Sequence, residues 1–370
     1  MCIRKLKLTN FKNYEYVDVT FSDGYNLITG NNGEGKTNLL DAVYMLCMTR
    51  SFFQYSDKNL IRIGQDFFRV EGHFDHLDEQ LKVVCKYKAE GGKVFEVDDK
   101  VIRRYSAFIG KLPVVMISPN DIQLIEKGSE ERRKFIDVSI CQVDPHYLTT
   151  LNNYNKVIKL RNTLLKQINR GESSQHDLAE YYAGQMADYC VELIDSRNKF
   201  TTQLSSKYES VYKQITEGKE PASCAYLPNV SGSKSDIYDT ICKAYRKDLI
   251  LEYTTCGVHK DEIEFFVKGT PVKKIGSQGQ IKSAIFAAKL AQYQWLRDQK
   301  DSLPILLLDD IFDKLDHSRV GNVLQLIDTE NYGQIFISDT YESRNTDLLS
   351  YLHKSVRHLH IEQGQLHVRV

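Results

Sequence analysis

The chain has 370 residues, of which 42% are hydrophobic and 26% charged, with lysine plus arginine equal to aspartate plus glutamate at 49 each. This is ordinary globular composition, long enough for two or three structural units. It excludes a helical membrane protein, since no apolar run reaches transmembrane length, and its balanced charge neither supports nor excludes a local DNA-binding face.

The start, Met1-Cys2-Ile3-Arg4-Lys5, leads straight into an alternating apolar and polar run over residues 3–9. That pattern predicts a half-buried strand and not a signal peptide, so a cytoplasmic protein is expected. Val17 to Phe21 alternate again. Tyr25 to Thr29 predict a third short strand ending at Gly30, and Asn38 to Met48 are apolar at helical spacing. Residues 60–102 hold several short strand-like runs, with Gly91-Gly92 as a turn between two of them. From Asp121 to about Tyr212 the pattern is helical, interrupted only at Pro145. Gly171-Glu172-Ser173-Ser174 divides it into an antiparallel hairpin, each run being too short for a long coiled coil. Residues 217–236 are loop-rich. Glu262 to Val267 alternate, Pro304 to Leu308 read as a strand buried on both faces, and Gln334 to Ser338 as another. Two strand-rich stretches thus flank a helical one. The expected fold is α/β: an ATP-binding lobe from residues 1–112 and 245–370, carrying an inserted helical lobe at 113–244. The eight cysteines are scattered without a Cys-x-x-Cys pair, which points to free thiols in a reducing compartment.

Three motifs carry chemistry. Gly30-Asn31-Asn32-Gly33-Glu34-Gly35-Lys36-Thr37, followed by Asn38, matches the P-loop pattern between a predicted strand and a predicted helix. Successive backbone N–H groups must curl around phosphates, which glycines permit. Lys36 reaches the outer phosphates and the Thr37 hydroxyl ligates Mg²⁺. In Leu306-Leu307-Leu308-Asp309-Asp310, Asp309 suits a Mg²⁺-holding carboxylate and Asp310 a base that polarises the attacking water. Ser277-Gln278-Gly279-Gln280 precedes a strongly helical stretch and has two readings. One is a plain helix cap at Ser277. The other is a second anion cradle, made by Ser277, Gly279 and Gln280, for a γ-phosphate bound to another subunit.

Together these elements resemble the ABC-type ATPase head, in the branch that includes SMC and related DNA-repair proteins. The resemblance narrows to the RecF family of DNA replication and repair proteins and covers almost the whole chain. It is carried further by Leu6-Lys7-Leu8-Thr9-Asn10-Phe11-Lys12-Asn13-Tyr14, by Ile117-Ser118-Pro119-Asn120-Asp121-Ile122, by Lys127-Gly128-Ser129 and by Arg132 to Asp137. Tyr154 to Ile158, Arg161 to Lys166 and Gly257-Val258-His259-Lys260-Asp261 complete it. The resemblance implies an ABC-type P-loop head without a long coiled coil, ATP and Mg²⁺ as cofactors, and an ATP-dependent homodimer. It also implies weak ATPase activity, action on gapped DNA or single-strand/double-strand junctions, a RecR-type mediator as partner and promotion of recombinase loading, with no membrane. Asp310 is shorter than the glutamate of transport ATPases, so slow hydrolysis is expected.

The chain departs from the family pattern in places. Phe53-Gln54 stands where an arginine usual in the family would follow Ser-Phe. Asp339-Thr340 replaces the histidine of transport ATPases, leaving Thr340 a candidate phosphate sensor. Asp316 reads either as part of a loop at a dimer interface or as a helix cap. His259 reads equally as a motif residue and as a satisfied turn histidine. Lys5, Lys58, Arg62, Arg103, Arg104, Lys273 and Lys274 are scattered candidates for DNA contact, and Arg132 and Arg133 are expected to pair with carboxylates. Rival readings are a transporter ATPase subunit, disfavoured by the helical insertion, an SMC-like tether, disfavoured by the lack of long arms, and a regulatory ATPase without gap specificity.

Overall fold

The apolar runs Tyr25–Thr29, Ile305–Asp309 and Ile335–Asp339 are buried along their whole length because they stand side by side as parallel strands. The computed structural model describes residues 1–53, 55–218, 220–310, 317–340 and 356–369. These three strands are the centre of a six-stranded sheet, ordered Gln365–Arg369, Val356–Glu362, Tyr25–Thr29, Ile335–Asp339, Ile305–Asp309 and Val114–Ile117. Only the outermost pair, at the chain's end, is antiparallel. Thr29 lies opposite Asp339, and Ser338 opposite Asp309. The register therefore brings three strand ends, and the loops after them, to one edge, where open α/β sheets bind ligands.

A second, antiparallel sheet is built on Cys2–Phe11, flanked by Tyr14–Thr20 and Phe67–His76 and extended by Glu79–Lys88 and Gly92–Val97. Cys2–Phe11 alternates buried and part-exposed positions, as period 2 requires of a strand covered on one face. Gln334 ties the two sheets together. Its amide donates to the carbonyls of Ile3 (2.8 Å) and Ser22 (2.6 Å), and its Oε1 accepts from the Ile3 amide (2.8 Å). The helix Lys36–Met48 buries Leu39, Leu40, Val43, Met45 and Leu46.

The chain divides into two units. The first comprises Met1–Ile122, Ser210–Pro221 and Ser277–Val370, and the second Gln123–Glu209 and Ala222–Gly276. These boundaries differ from the expected 112/113 and 244/245. Val114–Ile117, expected to open the helical lobe, is a strand of the parallel sheet. Glu262–Val267, expected in the ATP-binding lobe, pairs instead with Ala222–Leu227 and Thr270–Pro271 in a small sheet of the second unit. Ala222–Leu227 is itself a correction, since residues 217–236 read as loop. Its alternation lies between Pro221 and Pro228, whose turn signals mask it.

In the second unit, the expected hairpin forms from Pro145–Asn169 and His176–Ile215, turning at Gly171, with residues 210–215 of the later helix counted in the first unit. Arg132 grips Glu262 with two nitrogens at 2.7 Å each. Arg133 instead donates to the Asp261 carbonyl (2.7 Å) and to Ser129 (2.6 Å). No helix among the described residues is long and apolar enough to cross a membrane.

Candidate phosphate-binding site

The turn into the first helix requires a residue without a Cβ. Gly35 caps Lys36–Met48 at φ 113°, and a Cβ there would overlap the Asn13 amide and lie 2.8 Å from the Tyr14 hydroxyl. These two side chains hold the loop from outside. Asn13 Nδ2 donates to the Glu34 carbonyl (2.7 Å), Tyr14 donates to the Gly35 carbonyl (2.9 Å), and Asn38 Nδ2 donates to Asn13 Oδ1 (2.7 Å). Motif reading assigned no role to Asn13 or Tyr14. Their only signal was that they close the opening segment Leu6 to Tyr14.

Gly30 is buried where the loop leaves its strand, while Asn31, Asn32 and Gly33 face solvent. Inside the curl, Lys36 Nζ donates to the carbonyls of Gly30 (2.6 Å) and Asn31 (3.0 Å). Burial lowers its pKa, and the carboxylates of Asp310, Asp309, Asp339 and Glu34 oppose that shift. The ammonium is thus held at the loop that leads into the positive end of the helix, and such loops bind phosphate.

Opposite the loop stands Asp309, 2% exposed. Thr37 Oγ1 donates to both its oxygens, at 2.9 and 3.0 Å, and Ser338 Oγ donates to Oδ1 at 2.8 Å. Burial raises the Asp309 pKa against those two hydroxyls. A hard divalent cation fits this donor set, hydroxyl and carboxylate oxygens around a buried acid whose charge it would offset. Mg²⁺ held by Thr37 and Asp309 would neutralise charge on phosphate oxygens. Ser338 was missed as a site residue because only the strand register reveals it.

Asp310 follows at φ 46°, a left-handed conformation that costs a non-glycine residue roughly 1 to 2 kcal/mol. Its amide donates to Ser338 Oγ at 2.9 Å, which turns the chain at the strand end. The Thr340 hydroxyl donates to Asn32 Oδ1 in the loop at 3.0 Å. The structure thus gathers Lys36, Thr37, Asp309, Asp310 and Thr340 around the loop.

Ser277, Gly279 and Gln280 open another helix, Gln278–Gln299. Ser277 Oγ accepts from the Gln280 amide (3.3 Å), and Gln280 Oε1 accepts from the Ser277 amide (2.9 Å), a reciprocal capping box. Gln280 Nε2 donates to both Glu220 oxygens, at 3.0 and 2.9 Å. The capping reading of Ser277 is therefore realised in full. Among the described residues, none of these side-chain hydrogen bonds reaches the loop at 30–37.

In the second unit His259 bonds the Tyr154 hydroxyl (2.8 Å) and the Thr254 carbonyl (3.0 Å), and burial lowers its pKa to about 4. It is a satisfied turn histidine. Of the basic candidates, Lys5 pairs with Asp18 (2.9 Å), Arg62 with Glu15 (3.2 Å), and Lys273 donates to the Lys127 carbonyl (3.1 Å). Lys58, Arg103, Arg104 and Lys274 are exposed. Gln54 and Asp316 lie outside the described residues.

Residues 2–358 match the family profile described as the RecF/RecN/SMC N terminal domain. The DNA replication and repair protein RecF of Porphyromonas gingivalis is 36% identical over 99% of this chain and 100% of its own length. A solved structure of the recombination mediator protein RecF with ATP, in the RecFOR pathway, superposes with a TM-score of 0.89 at 28% identity, covering 100% of this chain and 97% of that one. A crystal structure of an Smc head bound to the C-winged helix domain of ScpA, with a TM-score of 0.61 at 16% identity over 100% of this chain and 97% of its own, shares the fold alone.

Proposed function

The chain belongs to the RecF family of DNA replication and repair proteins, and from that premise we propose that it is an ATP-dependent DNA-binding protein of replication and recombinational gap repair. One observation carries the nucleotide reading. Lys36 is bonded to the loop's own carbonyls and its neighbour Thr37 to Asp309, which brings the ammonium and the buried acid to one loop within the first unit. In this reading the loop binds ATP with Mg²⁺ at Thr37 and Asp309. Asp310 orients the attacking water, and its short side chain makes hydrolysis slow.

Two copies associate on ATP, with Ser277, Gly279 and Gln280 of each receiving the γ-phosphate held by the other. The dimer closes on DNA at single-strand/double-strand junctions and hydrolysis reopens it. A RecR-type mediator then joins it, in the cytoplasm, to promote recombinase loading.

The test is an electrophoretic shift of gapped, fully duplex and single-stranded DNA with and without ATP. ATP should favour the gapped substrate, and Lys36→Ala should abolish the nucleotide dependence. An equal ATP-dependent shift of all three substrates would instead identify an SMC-like ATPase without gap specificity. The absence of any shift with ATP would sink the DNA reading.

A further inference from the structure

The stretch from Lys243 to Lys260, all of it in the second unit, sorts its charges by sign. Its acids, Asp248 and Glu252, are engaged. Asp248 is buried. One of its oxygens accepts from Arg161 Nη1 at 2.7 Å, and the other from the amide and hydroxyl of Thr255 at 2.9 and 2.7 Å. Glu252 accepts from Asn169 Nδ2 at 3.0 Å. The cations Lys243, Arg246, Lys247 and Lys260 are all exposed. Among the described residues none of them forms an ion pair or donates a side-chain hydrogen bond.

Large apolar side chains stand bare among these cations. Ile250 is 76% exposed, Leu251 41% and Tyr253 43%. On the helix Tyr245–Leu251, Arg246 and Ile250 are one turn apart, as are Lys247 and Leu251, so each cation shares a helix face with an aliphatic. The helix stops at Glu252, with φ 60°, and beyond it Lys260 Nζ lies 5.0 Å from the centroid of the Tyr253 ring. A lone exposed aliphatic is ordinary, and so is a solvated lysine. Here the two adjoin, and the acids that could have paired with the cations are bonded elsewhere. A DNA backbone would use the cations and leave Ile250 and Leu251 in water. Lys260 already takes one face of Tyr253, the ring on which a base would stack. A segment that brings carboxylates to the cations and a large apolar side chain to Ile250 and Leu251 satisfies both.

We propose that this face docks a short acidic segment of another protein, anchored by a large apolar side chain. Docking there needs neither nucleotide nor a second copy of the chain.

The experiment is fluorescence polarisation of labelled probes titrated with the full chain. The probes are a peptide of alternating glutamate and leucine, the same peptide with serine for leucine, and short single-stranded and duplex DNA. The glutamate–leucine peptide should bind with a Kd on the order of 10 μM, and the serine peptide at least about tenfold more weakly. Arg246→Glu and Ile250→Ser should each weaken the glutamate–leucine peptide about tenfold, with thermal midpoint and DNA binding unchanged, since both side chains are exposed. No binding of the glutamate–leucine peptide, or equal binding of the two peptides, would overturn the proposal. So would a loss of DNA binding in Arg246→Glu as large as its loss of peptide, which would make this a nucleic-acid face. Self-association of the unmodified chain that Ile250→Ser abolishes would give the face to a second copy and overturn it too.

Discussion

Each unit holds a buried charged cluster, around Arg197 in the second and around Lys36 and Asp309 in the first, and the two clusters are satisfied differently. In the second unit Arg197, 1% exposed, meets opposite charges directly: Asp137 at 2.9 Å and Asp261 at 2.7 Å, with the Val258 carbonyl at 2.8 Å and the Tyr147 hydroxyl at 3.0 Å. Burial works against its charge, yet Asp137, Tyr147, Tyr226 and Asp261 hold its pKa well above the usual value. In the first unit Lys36 is bonded to carbonyls and Asp309 to hydroxyls, all of them neutral. Opposite charges bonded to each other leave nothing for a ligand. Charges bonded to neutral dipoles keep their field for one, and exchanging a dipole for a phosphate or a cation costs little. Buried charge marks a site only when it lacks a bonded counter-charge.

The largest effect should come from breaking the compensated cluster. Arg197→Met leaves Asp137 and Asp261 buried without their cation and is expected to cost about 3 to 5 kcal/mol of stability, measured by urea unfolding. A loss under about 1 kcal/mol would mean the cluster relaxes into solvent and the contrast between the units fails. Lys36→Ala should show the reverse profile. Nucleotide affinity, followed by equilibrium titration, should fall at least about a hundredfold, near 3 kcal/mol, while stability changes by less than about 1 kcal/mol. A large loss of stability there would make Lys36 a structural cation like Arg197.

His259 sharpens the comparison, because it is a titratable group of the second unit bonded to the hydroxyl of Tyr154 and the carbonyl of Thr254. Its folded pKa of about 4 lies below the ordinary 6.5, chiefly through burial. The folded chain therefore refuses a proton that the unfolded chain accepts. Its contribution is intact above pH 6.5 and is lost as pH falls toward 4, by about 2 to 3 kcal/mol between pH 7.5 and 4.5. His259→Gln should flatten that part of the stability profile. An unchanged slope would assign the acid sensitivity to other groups.

The loop at 30–37 and Asp309-Asp310 were legible because each motif is contiguous and its chemistry depends on local backbone. The central strands were legible because burial on both faces demands unbroken apolar runs. What escaped depends on contacts remote in sequence. Ser338 reaches Asp309 only through strand register, and Asn13 and Tyr14 reach the loop only because a hairpin turn folds over it. The unit boundaries escaped for a related reason. A four-residue strand such as Val114–Ile117 has too few residues to say which sheet it joins.

Ser277 offers the smallest and most discriminating effect, because one side chain serves two readings. As a cap, its Oγ accepts from the Gln280 amide, so Ser277→Ala should cost about 1 kcal/mol of stability. Ser277→Asp preserves an acceptor at the cap and places a negative charge at the positive end of the helix, so its thermal midpoint should match or exceed that of the unmodified chain. As a phosphate cradle, the same position should suffer from that charge, since a carboxylate repels an incoming phosphate. Ser277→Asp should then weaken ATP-driven association about tenfold or more while the fold is preserved. Association at the unmodified level would show that no phosphate comes to Ser277, and the cap would be its whole role.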